Sequence, residues 1–160
     1  MRDVLALADE DGRRRWNELS LGYTESAGLP ALRQEIAALY SGVGADQCFV
    51  VAGAEEGIFL AMHAALSAGD EVIVVVPAYQ SLHEVARSIG ARVVTVPLRA
   101  DTGWTLDPDA VARAVTRRTR AIVINFPHNP TGAHIGAAVQ RRRVEIAESA
   151  GAILFSDEVY

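Results

Sequence analysis

Lysine is absent from this chain of 160 residues. All 15 basic residues are arginine, and 20 acidic residues bring the formal net charge to −5. No side-chain amine is therefore present to form a Schiff base. The acidic balance also argues against a nucleic-acid partner, because domains that bind nucleic acids are usually basic.

Cysteine and long apolar runs are scarce as well. Cys48 is the only cysteine, which excludes an internal disulfide, and its apolar flank predicts a buried or half-buried thiol. The longest apolar stretch, residues 72–79, is far too short to span a bilayer. The first ten residues carry charges that a signal peptide would lack. We expect a cytoplasmic protein with no membrane partner.

Short apolar runs rich in Val, Ile and Phe alternate with helical patterns along the chain. Because these runs are almost continuously apolar, they are typical of strands covered on both faces. The predicted strands are Cys48–Ala52, Glu71–Val76, Arg92–Pro97, Ala121–Phe126 and Ala152–Ser156. The predicted helices are Val4–Leu19, Pro30–Tyr40, Ala54–Leu66, Tyr79–Ile89, Pro108–Val115 and Ala137–Ala150. This order predicts an α/β fold, a three-layer αβα arrangement around a mainly parallel sheet.

In a parallel sheet, ligands gather at the carboxyl ends of the strands, so the residues just after each strand are the candidates for a site. Gly53, Ala54 and Glu55 follow the first predicted strand and open a helix, where backbone N–H groups can bind a phosphate. An ordinary strand-to-helix turn would look the same. Tyr79 follows the second strand, where its ring can stack on a ligand or pack at a helix start.

Two further strands end in polar groups. Asn129 lies in a loop dense in turn formers, residues 127–132, and can offer an amide to a ligand oxygen. His128 beside it has no His, Cys or carboxylate partner at metal-site spacing, and no metal site is predicted. Asp157 can favour a cationic ring nitrogen or cap a helix, and Tyr160 can face the same cleft.

The chain resembles the class I/II aminotransferases of fold type I, which use pyridoxal 5'-phosphate. The most specific matches are Asn129-Pro130-Thr131-Gly132 and, at the family's separation, Ser156-Asp157-Glu158-Val159-Tyr160. Other strong matches are Leu21-Gly22-Tyr23-Thr24, with Gly28 and Leu32-Arg33, and Pro77-Ala78-Tyr79. The Gly53-Ala54-Glu55 turn adds moderate support. The resemblance covers essentially the whole chain.

The resemblance implies roles for eight residues of this sequence. Gly53, Ala54 and Glu55 would hold the cofactor phosphate through backbone N–H groups, and Tyr79 would stack on its ring. Asn129 and Tyr160 would bind the phenolate oxygen of the ring, and Asp157 would pair with the ring nitrogen. The Asn129–Pro130 peptide bond is expected to be cis. Tyr23 would reach the phosphate of a neighbouring subunit, which implies a homodimer. Asp157 and Tyr160 are the implied catalytic residues.

The family's substrates are amino acids and 2-oxo acids, between which an amino group moves. In this family the lysine that binds the cofactor lies beyond the Asp-x-x-Tyr motif, so we expect this chain to be a fragment that is inactive alone. We expect a helical segment at residues 1–45 and a partial cofactor-binding domain at residues 46–160. Other reactions on the same fold stay open, namely a carbon–sulfur lyase, a decarboxylase or a cyclase. A non-catalytic remnant also stays open. A nicotinamide-binding domain is disfavoured because the Gly53–Gly57 turn lacks the Gly-x-Gly-x-x-Gly spacing.

Overall fold

The computed structural model describes residues 2–160. The chain divides into two compact units, one that ends at Val51 and one that spans Ala52–Tyr160. The boundary predicted from the sequence, between residues 45 and 46, falls slightly earlier. The assignment of these two parts as domains stays a prediction.

The first unit is built from short helices. They are α1 (Arg2–Ala6), α2 (Glu10–Asn17), α3 (Pro30–Ala37) and a single 3₁₀ turn at Ala45–Gln47. The prediction of one continuous helix over Val4–Leu19 is wrong. Asp9 adopts an extended conformation, and its carboxylate accepts the Gly12 N–H at 2.7 Å, so it caps a new helix instead of continuing the first.

The predicted strand Cys48–Ala52 is also wrong. The segment is extended at Cys48 but forms no ladder with another strand among the described residues. Its backbone bonds go to a loop and a side chain: the Val50 N–H donates to the Ala27 carbonyl at 2.9 Å, and Arg33 Nε donates to the Cys48 carbonyl at 2.9 Å. Cys48 is a buried free thiol, as predicted.

The second unit alternates helices and strands. They are α4 (Ala54–Ala65), β1 (Glu71–Val76), α5 (Ser81–Ser88), β2 (Arg92–Pro97), a 3₁₀ turn (Ala100–Thr102), α6 (Pro108–Ala114), β3 (Thr119–Asn125), α7 (Ala137–Ala150) and β4 (Ile153–Asp157). The strands pair in the order β2-β1-β3-β4, and every pair is parallel. The predicted strands in this unit are confirmed, with ends shifted by at most two positions.

The two faces of the sheet are each covered by a pair of helices. Val72 and Val74 of β1 are fully buried against a cluster that includes residues of α4 and α5. Ile73 and Val75 point the other way, into a cluster with residues of α6 and α7. Successive side chains of a strand point to opposite faces, so two covered faces require a continuous apolar run. The predicted three-layer αβα fold is confirmed.

None of the helices within residues 2–160 has the length and hydrophobicity needed to cross a membrane.

The order of the strands in the sheet also shows where a crevice lies. After β1 the chain passes through α5 to β2 on one side, and after β3 it passes through α7 to β4 on the other. Connections that leave in opposite directions open a cleft at the carboxyl ends of the two central strands, which is where α/β proteins bind ligands.

Candidate active site

A cavity of about 380 Å³ lies at this cleft. It is lined by the start of α4 and by residues that end or follow β1, β3 and β4. The structure brings together seven of the eight residues that the sequence singled out: Gly53, Ala54, Glu55, Tyr79, Asn129, Asp157 and Tyr160.

Tyr23, the eighth residue, belongs to the first unit and does not line this cavity. Its side chain is fully exposed in the single chain. The role implied for it, contact with the cofactor of a neighbouring subunit, stays a prediction.

The start of α4 forms one wall of the cavity. Gly53 caps this helix with φ 106° and ψ 162°, a conformation that is essentially restricted to glycine. A Cβ atom at Gly53 would have no atom within 4 Å, so the glycine is required by its backbone and leaves the space in front of the helix open. The first N–H groups of a helix lack partners within the helix and carry its positive dipole end. Glu56 reaches back and accepts the Ala52 N–H at 2.6 Å, which fixes the turn.

Glu55 and Tyr79 interact across the cavity wall. The carboxylate of Glu55 accepts a hydrogen bond from Ser81 Oγ at 3.1 Å. Hydrogen bonding to Glu55, together with its negative charge, raises the pKa of Tyr79 above its ordinary value. Tyr79 lies before the first residue of α5, not inside a helix as the predicted range had placed it, and half of its side chain remains exposed. The ring is therefore free to contact a ligand.

Asp157 ends β4, and its half-buried carboxylate points into the cavity. Desolvation is the main cause that raises the pKa of Asp157, and the nearby charge of Glu55 acts in the same direction. The Val159 N–H, at 3.3 Å from Asp157 Oδ1, opposes both effects. A carboxylate in such surroundings gains from a cationic partner, which would restore the favourable interaction that water no longer provides.

The loop after β3 carries Asn129 and is fixed by a buried histidine. His128 Nε2 lies 2.8 Å from the Pro77 carbonyl oxygen, and Nδ1 lies 2.6 Å from Thr131 Oγ1. Because a carbonyl only accepts, Nε2 carries the proton and donates it. His128 therefore ties the loop to the residue that follows β1. The Asn129–Pro130 bond is cis, as expected.

Comparison with known proteins places this geometry in a family. Residues 5–160 match the family model described as aminotransferase class I and II. The chain belongs to the class I and II aminotransferases. The family depends on pyridoxal phosphate.

The relatives of this aminotransferase chain are considerably longer than it. It is similar to an aspartate aminotransferase of Pyrococcus horikoshii, with 35% identity over 94% of this chain and 40% of the relative. It is also similar to a probable N-succinyldiaminopimelate aminotransferase of Mycobacterium tuberculosis, with 43% identity over 86% of this chain and 36% of the relative. A PLP-dependent aminotransferase structure from Streptococcus suis superposes with a TM-score of 0.90 at 32% identity, covering 99% of this chain and 42% of that one. The chain thus spans about 40% of such aminotransferases.

The cavity of this aminotransferase chain fits pyridoxal phosphate in the chemistry of its lining and in volume. The open helix start at Gly53 suits a phosphate, and the desolvated carboxylate of Asp157 suits a protonated ring nitrogen. A volume of about 380 Å³ lies in the usual range for small-ligand sites. Seven of the eight residues that the family resemblance implied line this cavity, and their role in holding the group stays a prediction.

Sequence reasoning missed four residues that line the cavity, namely Ala52, Ile58, Asn125 and Val159. Ile58 is a buried residue of α4 and supplies an apolar surface. Asn125, the last residue of β3, is a buried amide that follows the apolar run of residues 121–124. The signal for Asn125 was present, because a polar residue between Ile124 and Phe126 at a strand end is unexpected unless it has a partner.

Proposed function

We propose that this chain supplies the cofactor-binding part of an aminotransferase that moves an amino group between an amino acid and a 2-oxo acid. One observation carries the proposal: a helix start, an aromatic ring, an amide, and a carboxylate with a phenol three residues after it come from four separate parts of the sequence and line one cavity. Family membership supports it independently.

The phosphate would bind at the start of α4. The N–H groups of Ala54 and Glu55 would donate to its oxygens, and the helix dipole would favour its negative charge. Gly53 allows the close approach because it places no side chain in front of the helix. The carboxylate of Glu55 is engaged by Ser81 Oγ and faces Tyr79, so Glu55 would contribute to phosphate binding through its backbone.

The ring would be held from three sides. Tyr79 would stack on its face, and Asn129 and Tyr160 would donate hydrogen bonds to its phenolate oxygen. Asp157 would hold a proton on the ring nitrogen, because the ion pair offsets the desolvation that this carboxylate otherwise suffers. When bound and protonated in this way, pyridoxal phosphate supplies an electron sink for charge that develops on the substrate.

The assembly and location of the whole protein are part of the same proposal. We propose a homodimer in which Tyr23 contacts the phosphate of the partner subunit, supported by the full exposure of that side chain in the single chain. We also propose a cytoplasmic location, for which a single buried free thiol is the physical support.

Cofactor binding is tested with pyridoxine 5'-phosphate, which lacks the aldehyde and cannot form a Schiff base. We expect the chain to bind it in a calorimetric titration and to bind pyridoxine, which has no phosphate, much more weakly. Asp157→Asn should weaken binding about tenfold or more through loss of a charge-assisted bond, whereas Asp109→Asn, a matched change at the start of α6, should not. Equal affinity for the two probes would remove the phosphate site from the proposal.

The reaction is tested with the product of the complete reading frame that contains these residues. We expect 2-oxo acid formation from an amino acid donor to depend on an added 2-oxo acid acceptor. Release of sulfide or carbon dioxide would instead identify a lyase or a decarboxylase. The 160-residue chain itself should show no turnover, and borohydride treatment with pyridoxal phosphate should label at most the α-amino group, because the chain has no lysine.

A further inference from the structure

Asn125 is a buried polar side chain with both ends of its amide engaged. Only 3% of the residue is exposed. Its Nδ2 donates to the backbone carbonyl of Asp157 at 3.1 Å, and its Oδ1 accepts the backbone N–H of Asn129 at 2.8 Å. One side chain therefore connects two of the residues proposed to hold the cofactor ring.

The position of Asn125 in the sheet gives this link its importance. Asn125 and Asp157 are the last paired residues of β3 and β4, so no further backbone ladder holds the two chains together beyond them. The Asn125 amide extends the pairing by one bond toward β4 and one bond toward the loop. Because both partners are backbone groups, the link fixes the backbone positions of Asp157 and Asn129. The side chains of these two residues stay available to a ligand.

We propose that Asn125 is a positioning residue of this site, one that sets the distance between the carboxylate for the ring nitrogen and the amide for the ring oxygen. The identity of the ligand rests on the proposed function, but the link itself does not. An aliphatic side chain at this place would leave a partly buried carbonyl and a partly buried N–H without these partners, and an unpaired group of this kind costs more than the bond itself contributes. Both partners would then shift to find new ones.

The first test compares Asn125→Ala with Thr119→Val in the 160-residue chain. Thr119 is a matched control because it is buried in the same strand, at the end remote from the cavity, where its hydroxyl lies 3.4 Å from Glu71. We expect Asn125→Ala to weaken pyridoxine 5'-phosphate binding about tenfold. Thr119→Val should lower the unfolding temperature with little change in affinity. If Asn125→Ala and Thr119→Val lose equal stability and also lose equal affinity for the probe, the positioning role is overturned.

A second variant, Asn125→Asp, separates positioning from packing. The introduced carboxylate still accepts from Asn129 but repels the Asp157 carbonyl, and only its protonated form can donate to that carbonyl. The affinity of Asn125→Asp relative to the unsubstituted chain should therefore recover as pH falls, whereas the ratio for Asn125→Ala should stay flat. The other titratable groups that face the site are the same in every variant, and the Asn125→Ala profile serves as the reference for them: Glu55, Tyr79, His128, Asp157 and Tyr160. Parallel profiles for the two variants would contradict the proposal.

Amide hydrogen exchange tests the link without any ligand. The Asn129 N–H should be protected in the unsubstituted chain and in Thr119→Val, and it should exchange at least tenfold faster in Asn125→Ala. If the unsubstituted chain fails to bind the phosphate probe while this protection pattern holds, the proposed function fails and the positioning role stands. If Asn129 exchanges equally fast in all three proteins, the positioning role fails, whatever binds in the cavity.

Discussion

Replacing Gly53 by alanine should cost far more than replacing Gly136 by alanine. Both glycines cap the start of a helix, with ψ 162° in each case, and a Cβ atom at either would have no atom within 4 Å. They differ in one respect: φ is 106° at Gly53 and −74° at Gly136. The pair therefore isolates the cost of the backbone conformation from that of packing.

The magnitude follows from that one angle. A residue with a side chain forced into the region of Gly53 is strained by about 1–3 kcal/mol. At Gly136 the φ angle is ordinary, so the entropy that alanine removes from the unfolded chain, about 0.4–1 kcal/mol, offsets much of the poorer capping. The expected difference in the free energy of unfolding is about 1–3 kcal/mol. For a chain of this size it corresponds to roughly 2–12 °C in Tm.

Thermal unfolding of both variants, followed by circular dichroism, measures this difference. The same proteins are then titrated with pyridoxine 5'-phosphate, because relief of the strain would rotate the N–H groups that face the cavity. We expect Gly53→Ala to lose both stability and affinity, and Gly136→Ala to keep both. The reasoning is refuted if the two variants melt together and bind the probe equally well.

Two other changes test the electrostatics of the unit. Glu55→Gln should lower the pKa of Tyr79 toward its ordinary value. A pH titration of tyrosinate absorbance measures this pKa, and the component that is lost in Tyr79→Phe identifies the signal of Tyr79. Because a raised pKa means that the folded state holds the proton more tightly, stability falls as pH rises from the ordinary to the raised value, and this loss should shrink in Glu55→Gln. Glu158→Ala removes a carboxylate that forms an ion pair, at 3.6 Å, with the nearly buried guanidinium of Arg143, and it should destabilise the chain by about 1–2 kcal/mol in urea unfolding. Glu145→Ala, which breaks an exposed pair, should cost at most about 0.5 kcal/mol; equal effects would contradict the burial argument.

Much of the second unit was readable in advance because its signals are local. The strands Glu71–Val76 and Arg92–Pro97 were predicted with the bounds that the structure has, because each is a short run rich in β-branched residues with a Gly shortly before it and a Pro at or just after its end. The helix Ala137–Ala150 was predicted equally well, because Gly151 ends it in a left-handed conformation. Local residue preference and tertiary packing agree in these elements.

The first unit was less readable because nearby side chains competed with the regular pattern. The Asp9 carboxylate accepts a hydrogen bond from the Gly12 N–H, so the segment predicted as one helix forms two. The apolar run from Cys48 had the composition of a strand, yet Arg33 and a loop carbonyl took bonds that a neighbouring strand would have needed. A β-strand requires hydrogen bonds to a neighbouring strand, and the local sequence does not show whether such a neighbour is present.

The sequence by itself determined the fold class, the family and seven of the residues that line the cavity, because turn-forming residues and strand ends are recognisable from local sequence. Only the tertiary structure decided how those residues meet. The burial of Asp157 beside Glu55, the hydrogen bond that raises the pKa of Tyr79, and the Asn125 link from Asn129 to Asp157 all depend on contacts between segments far apart in the chain. Desolvation and hydrogen bonding act over a few ångströms in space, and distance along the sequence does not reveal them.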